Sequence, residues 1–221
     1  MNTLLNDIEV RVLGALVEKQ VTTPEYYPLT LNSLTLACNQ KNNRNPITSY
    51  DEAAVAHALE TLREKSLTYV FHGSTSRVPK YKHVMTEVFH LTPQELAVMC
   101  VLMLRGTQTP GELRGSGSRL HEFSGLEEVD ETLAGLMSRE PEPLVAKLPR
   151  QAGQKEVRYA HLLNGAVQVE TAVESEAAPR ATSPRRNDSE RILKLEDEVA
   201  ELRNSVNDLK EQFEGFKKQF E

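Results

Sequence analysis

The sequence predicts a mainly α protein with small β-wings, an α+β chain of two tandem winged helix-turn-helix domains and a C-terminal coiled-coil helix. Three observations predict it. An order of apolar helix, short helix, helix and β-hairpin occurs twice; a polar stretch without apolar period follows the second copy; a heptad seam follows that stretch. A length of 221 residues suits two domains and an extension. The expected boundaries are 1–88 and 89–165 for the two domains, 166–189 for the linker and 190–221 for the coil.

The first helix of each copy is the clearest match. Leu5 to Pro24 and Leu91 to Pro110 align without a gap at an offset of 86, with Glu9 on Glu95, Val10 on Leu96, Leu13 on Met99 and Leu16 on Leu102. Apolar positions three and four residues apart make each an amphipathic helix. Asn6 and Thr92 suit the N-cap, and Pro93 then falls at the first helical position, where its missing N–H costs nothing.

The third helices align at an offset of 74, Val55, Leu59 and Leu62 falling on Val129, Leu133 and Leu136. The patterns Ser49-x-x-Glu52 and Ser124-x-x-Glu127 read as capping boxes that start them. Short β-rich stretches follow, Leu67–Phe71 and Leu144–Leu148, each before a polar turn at His72–Ser76 or Arg150–Gln154. Lys80-Tyr81-x-His83 then matches Arg158-Tyr159-x-His161 at an offset of 78 and closes each hairpin. The first copy is 12 residues longer between its first and third helices, within Glu25 to Tyr50.

Residues from about Ala166 to Ser189 are rich in Glu, Ala, Ser, Pro and Arg, a composition that cannot bury enough surface to order itself. Beyond it, Ile192, Leu195, Val199, Leu202, Val206, Leu209, Phe213, Phe216 and Phe220 alternate at spacings of three and four. β-Branched residues at a with leucine at d favour a parallel two-stranded coil. Arg191 would face Glu196, and Glu198 would face Arg203, both attractive pairs. Self-association through this seam is expected, in preference to a helix folded back on its own chain.

The net charge of −6 argues against a protein that coats nucleic acid by bulk charge, and leaves room for a local basic patch. Residues 1–90 carry nine Lys/Arg against nine Asp/Glu, and residues 91–163 carry eight against ten. Cys38 and Cys100 lie in apolar helical contexts with no CxxC or Cys/His cluster. They read as buried thiols of a reducing compartment. No signal peptide and no membrane-spanning run are read, so a cytoplasmic protein without membrane contact is expected.

No P-loop, GxGxxG, GxSxG or HExxH pattern is present, and the six histidines lack metal-ligand spacing. An enzyme, a metal site or a cofactor is therefore not expected. The run of carboxylates at Glu127, Glu128, Asp130 and Glu131 suits a helix N-terminus. The informative segment is Asn39 to Tyr50, with Lys41 and Arg44, five amide side chains and no carboxylate. The first wing adds Arg77, Lys80 and Lys82, with no acid from Phe71 to Met85. Lys41, Arg44, Arg77 and Lys80 are read as phosphate contacts; Asn42, Asn43, Tyr50 and His57 are read as approaching bases. The third helices oppose this, because the first opens with Asp51 and Glu52 and the second with four carboxylates. Two functions follow. One is a dimeric DNA-binding, regulatory protein using the first domain. The other is a non-enzymatic scaffold that binds a protein partner through acidic tandem winged helices.

Leu34-Thr35-Leu36-Ala37-Cys38-Asn39-Gln40-Lys41 and Asn43-Arg44-Asn45-Pro46 carry a resemblance to a known family. So do the Leu5–Val21 helix, Arg77-Val78-Pro79-Lys80-Tyr81-Lys82-His83 and Leu91-Thr92-Pro93-Gln94-Glu95. Over about residues 3–163 the chain resembles the YceH-like family of uncharacterised bacterial proteins. The resemblance implies tandem winged helices and no established activity. It also implies an aspartate before the loop proline, where this chain has Asn45.

Overall fold

The structure, a computed structural model, describes residues 4–71, 78–150 and 156–165. The linker and coil expected over 166–221, with Ile192 to Phe216, lie outside the described residues, as does Arg77. Met1–Glu170 form one compact unit, and its fold is α+β. In chain order the elements are α1 (Asp7–Thr22), a single 3-10 turn (Pro24–Tyr26), β1 (Leu29–Thr30), α2 (Leu31–Cys38), α3 (Glu52–Glu64), β2 (Thr68–Phe71), β3 (Lys80–His83) and α4 (Met85–Phe89). They continue with α5 (Pro93–Arg105), α6 (Pro110–Gly117), α7 (Leu126–Met137), β4 (Val145–Lys147) and β5 (Tyr159–His161).

The order helix, helix, helix, hairpin thus occurs twice, and the same bonds recur with it. Asn6 and Thr92 cap α1 and α5, and each closes a capping box with Glu9 or Glu95. The two box glutamates then take matching cations: Glu9 receives Lys65 at 2.6 Å, and Glu95 receives Arg139 at 3.1 Å. Burial would raise the pKa of Glu9, yet hydrogen bonds from Lys65, Thr61 and the Asn6 N–H hold it below the usual value. After the third helix the Leu67 N–H donates to the Leu62 carbonyl, and the Leu144 N–H donates to that of Leu136. Val84 and Leu162 close the hairpins by donating to Leu67 and Leu144.

The first copy's extra length falls in two places. The starts of α1 and α5 are 86 apart, those of α2 and α6 79, and those of α3 and α7 74. Seven extra residues therefore surround the 3-10 turn, and five lie in the loop between α2 and α3. The first hairpin joins a three-stranded antiparallel sheet in the order β1-β3-β2. The second is a two-stranded sheet, with a single bridge from Gln108 to Tyr159 at its side.

Two expected caps are corrected. α3 is capped by Asp51, whose side chain accepts from the Ala54 N–H at 2.8 Å, and Ser49 plays no part in it. The reason lies upstream: the Asn39 side chain bonds both the N–H and the carbonyl of Tyr50, a grip on the backbone that precedes the helix. At α7 the N-cap is Gly125, and Ser124 bonds Glu128 through both its N–H and its hydroxyl. The helix α4 has no counterpart among the expected elements. Five residues are too few to show a helical period.

α1 and α5 form the centre. Val12, Leu13, Ala15, Leu16 and Val17 are all buried, as is every residue of α5 from Leu96 to Leu104. The α5 stretch is apolar on every side, more than the expected amphipathic stripe, and is covered on every side, whereas α1 also buries Glu9, Arg11 and Glu18, each with a partner. The two pack on each other where Gly14 lies against the Leu104 side chain and the Met103 Cβ, and the Cys100 thiol meets the Gly14 carbonyl at 3.6 Å. One continuous core runs from Leu5 to Leu163 through both copies. Each leucine buried there contributes about 1.5–3 kcal/mol.

Candidate nucleic-acid interface

The loop between α2 and α3 is built around two arginines that face inward. Arg44 sits at 6% exposure with its side chain fully covered. Its guanidinium forms a bidentate pair with Glu18 at 2.6 and 3.1 Å and donates to the carbonyls of Ala37 and Asn43 and to the Gln40 amide oxygen. Every N–H of the fork is taken. The reading of Arg44 as a phosphate contact is therefore corrected: it holds the loop from beneath. Arg11, on α1, does the same from the other side, donating to the carbonyls of Cys38 and Pro46 and to the Thr48 hydroxyl. Burial, and next the charge of Arg44, lower its pKa.

With its underside fixed, the loop turns outward. Lys41, Asn42 and Asn43 are exposed. Asn43 has a left-handed backbone, φ 57°, which Asn tolerates better than most residues. Its side-chain oxygen accepts from Arg105 at 3.5 Å, and the Asn45 N–H donates to the Leu104 carbonyl at 2.9 Å. The loop thus also braces the end of α5. Tyr50 is half-buried and packs on the core, so it seats the loop and is not displayed for a base as expected. His57 is exposed on α3, beside Glu60. The acids that open α3 are engaged, Asp51 as the cap and Glu52 as acceptor from the Asn32 amide.

The first hairpin shows what the sequence reading missed. β2 and β3 pair with Tyr69 opposite Lys82 and Phe71 opposite Lys80. Strand alternation puts these four side chains on one face and Thr68, Val70, Tyr81 and His83 on the other. Thr68 and His83 are buried, whereas Tyr69 and Phe71 are 38% and 42% exposed. The Lys82 ammonium lies 5.9 Å from the centre of the Tyr69 ring, which confirms the shared face. Lys80 is half-exposed, at the pair nearest the turn. The signal is the period-two pattern within Leu67–Phe71, which marks a strand without telling which of its sides turns outward.

The second hairpin lacks this face. The pair corresponding to Tyr69–Lys82 is Ala146–Ala160. Arg158, which corresponds to Lys80, is tied to Glu112 at 3.1 Å and donates to the Thr107 carbonyl. Around α7, Glu127, Asp130 and Glu131 are exposed, and Glu128 is held by Ser124 and His121. The Ser124 N–H, then His121 and the Ser124 hydroxyl, bring the Glu128 pKa down to about 2.

Other titratable groups are buried in the core. His83 takes the Met85 N–H on Nδ1, and its Nε2 is buried without a partner among the described residues. Burial, aided by the Lys82 charge, pushes its pKa down to about 4. His161 is likewise near 4 through burial, against a small opposing effect of Asp7. Cys38 and Cys100 are buried free thiols, with burial raising the first to about 12 and the second higher still. Among the described residues no His, Cys, Asp and Glu cluster with metal-holding geometry occurs. No helix there is long and apolar enough to cross a membrane.

Comparison with known proteins adds a family without an activity. The family described as "Protein of unknown function, DUF480" matches residues 5–154. A "UPF0502 protein" of Opitutus terrae is 54% identical over 90% of this chain and 84% of its own length. One of Pelobacter propionicus is 49% identical over the whole of both chains. One of Vibrio atlanticus is 46% identical over 93% and 95%.

Proposed function

The chain belongs to the DUF480 family of proteins of unknown function, and we propose that it is a DNA-binding, regulatory protein working through its first half, with no catalysis of its own. In this reading each helix-helix-helix-hairpin copy is a winged helix, and the first hairpin is the working wing. The observation that carries it is the outward hairpin face, where Lys80 and Lys82 alternate with Tyr69 and Phe71 and no carboxylate intervenes. Lys41 and Asn42 on the braced loop are also exposed, and in this reading they make a second contact. Phosphate contact by the wing and loop avoids the acids of α3, which would repel DNA if that helix entered a groove. Dimerisation through the heptad segment 190–221, and a cytoplasmic location, are parts of the same proposal.

The test is fluorescence anisotropy of the full chain with a labelled random duplex across a salt series. Wild type should bind with a steep salt dependence. Replacing Lys41, Lys80 and Lys82 by alanine should weaken binding on every sequence and flatten the log–log slope by about 0.9 for each phosphate no longer neutralised. Absence of duplex binding at low salt would instead favour a protein-binding scaffold, for which the exposed acids of α7 and the exposed Leu126 speak.

A further inference from the structure

We propose that the Tyr69–Phe71 face binds the unpaired bases of single-stranded DNA, a refinement that rests on the nucleic-acid reading of this hairpin. A hairpin face turned to solvent is ordinarily polar, and the matching pair in the second copy is Ala146–Ala160, with Ala160 buried, so the exposed aromatics are particular to the first. Both rings are displayed, at 38% and 42% exposure, with a lysine directly opposite each.

In duplex DNA the bases cover one another's faces and present only edges, so an exposed ring gains nothing by stacking. In an unpaired strand each base offers a free face, and stacking on an aromatic side chain is favourable whatever the base. The spacing agrees. Residues two apart on a strand are about 6.5–7 Å apart, roughly twice the 3.4 Å rise between stacked bases of one strand. Tyr69 and Phe71 therefore suit neighbouring bases of an unstacked, extended strand. Cross-strand Cβ atoms lie about 4.5–5.5 Å apart, so Lys82 and Lys80 stand beside the rings, where the phosphates of that strand would run. No acid belongs to this face of the strands; Glu60 and Arg63 of α3, one charge of each sign, line a cavity with Tyr69, Val70 and Tyr81.

The experiment uses the full chain with labelled oligothymidylate, labelled oligouridylate and labelled duplex, read by anisotropy at low salt. The variants are Tyr69→Ala/Phe71→Ala and Tyr69→Leu/Phe71→Leu; the second keeps bulk on the strand, and both are checked for fold by far-UV circular dichroism. Both should lose at least about tenfold in oligothymidylate affinity, while duplex affinity stays within about twofold of wild type. Unchanged oligothymidylate binding by either variant overturns the inference. Wild type that binds duplex but not oligothymidylate also overturns it, and leaves the DNA-binding proposal standing. Binding of oligouridylate alone overturns the assignment to DNA. Binding of none of the three removes both proposals together.

Discussion

Replacing Arg44 by alanine should cost this protein a large part of its stability, whatever it does to DNA. The guanidinium is covered, forms two bonds to Glu18 and satisfies the carbonyls of Ala37 and Asn43. Alanine leaves a largely buried carboxylate with only the more distant Lys19 ammonium, at 3.9 Å, and takes a donor from two carbonyls. Removing one partner of a buried pair costs about 3–5 kcal/mol, against a total of about 5–15 kcal/mol for an ordinary domain. With a urea m-value of about 2 kcal/mol/M, the midpoint should fall by about 1.5–2.5 M. Urea denaturation followed by far-UV circular dichroism measures this directly. Lys41→Ala, on the exposed side of the same loop, should leave stability within about 0.5 kcal/mol of wild type. The double variant Glu18→Met/Arg44→Met should regain most of the loss, because an apolar pair replaces the ion pair without stranding a charge. A loss below about 1 kcal/mol for Arg44→Ala would refute the assignment of Arg44 as the loop's internal anchor.

Other consequences can be measured as readily. Lys65→Met strands Glu9, which is 1% exposed, and should cost about 1–3 kcal/mol by urea denaturation; Arg139→Met should behave alike, and a neutral result at both would remove the paired-repeat argument. His83 is held neutral with a folded pKa of about 4 against 6.5 unfolded, so the unfolded chain binds the extra proton between those values. Its stability contribution is intact above about pH 6.5 and is lost as pH falls to 4, on the order of 3 kcal/mol. His83→Gln should remove about half of the histidine slope between about pH 6.5 and 4.5, His161 supplying the rest, and an unaltered slope would count against it. Cys38 and Cys100 should resist iodoacetamide in the native protein and react only on unfolding, as mass spectrometry can follow; rapid native labelling of either would contradict its burial. Gly14→Ala places a Cβ about 3.0–3.1 Å from the Leu104 side chain and the Met103 Cβ, and should cost about 1–3 kcal/mol through overpacking.

How far the sequence carried depended on whether the relevant signal was local. The caps at Asn6 and Thr92 were legible because Glu9 and Glu95 stand three residues on and each box is closed within its own turn. Ser49 carried the same local pattern, but Asn39, ten residues earlier, governs that stretch by gripping the backbone of Tyr50. Arg44 shows the same limit at the candidate site. Its charge is visible in the sequence, whereas its partner Glu18 lies 26 positions earlier, on α1. Lys41, Asn42 and Lys80 were placed on the surface by composition alone and are found there or half-exposed. Tyr69 and Phe71 were missed because a face is defined by pairing register, and the register with Lys82 and Lys80 is set across the turn.

The meeting of Gly14 and Cys100 has a consequence for assembly. The two residues are separated by the same 86 positions as the starts of α1 and α5, so each helix touches the other at its own counterpart. Contact between counterparts is the hallmark of a two-fold axis, and a two-fold contact closes on itself. The two copies therefore meet as the halves of a symmetric pair would, with that patch already saturated from within. Any association between whole chains has to recruit other surfaces. The likeness stops at the ribbons, since Tyr69 faces Lys82 in the first and Ala146 faces Ala160 in the second.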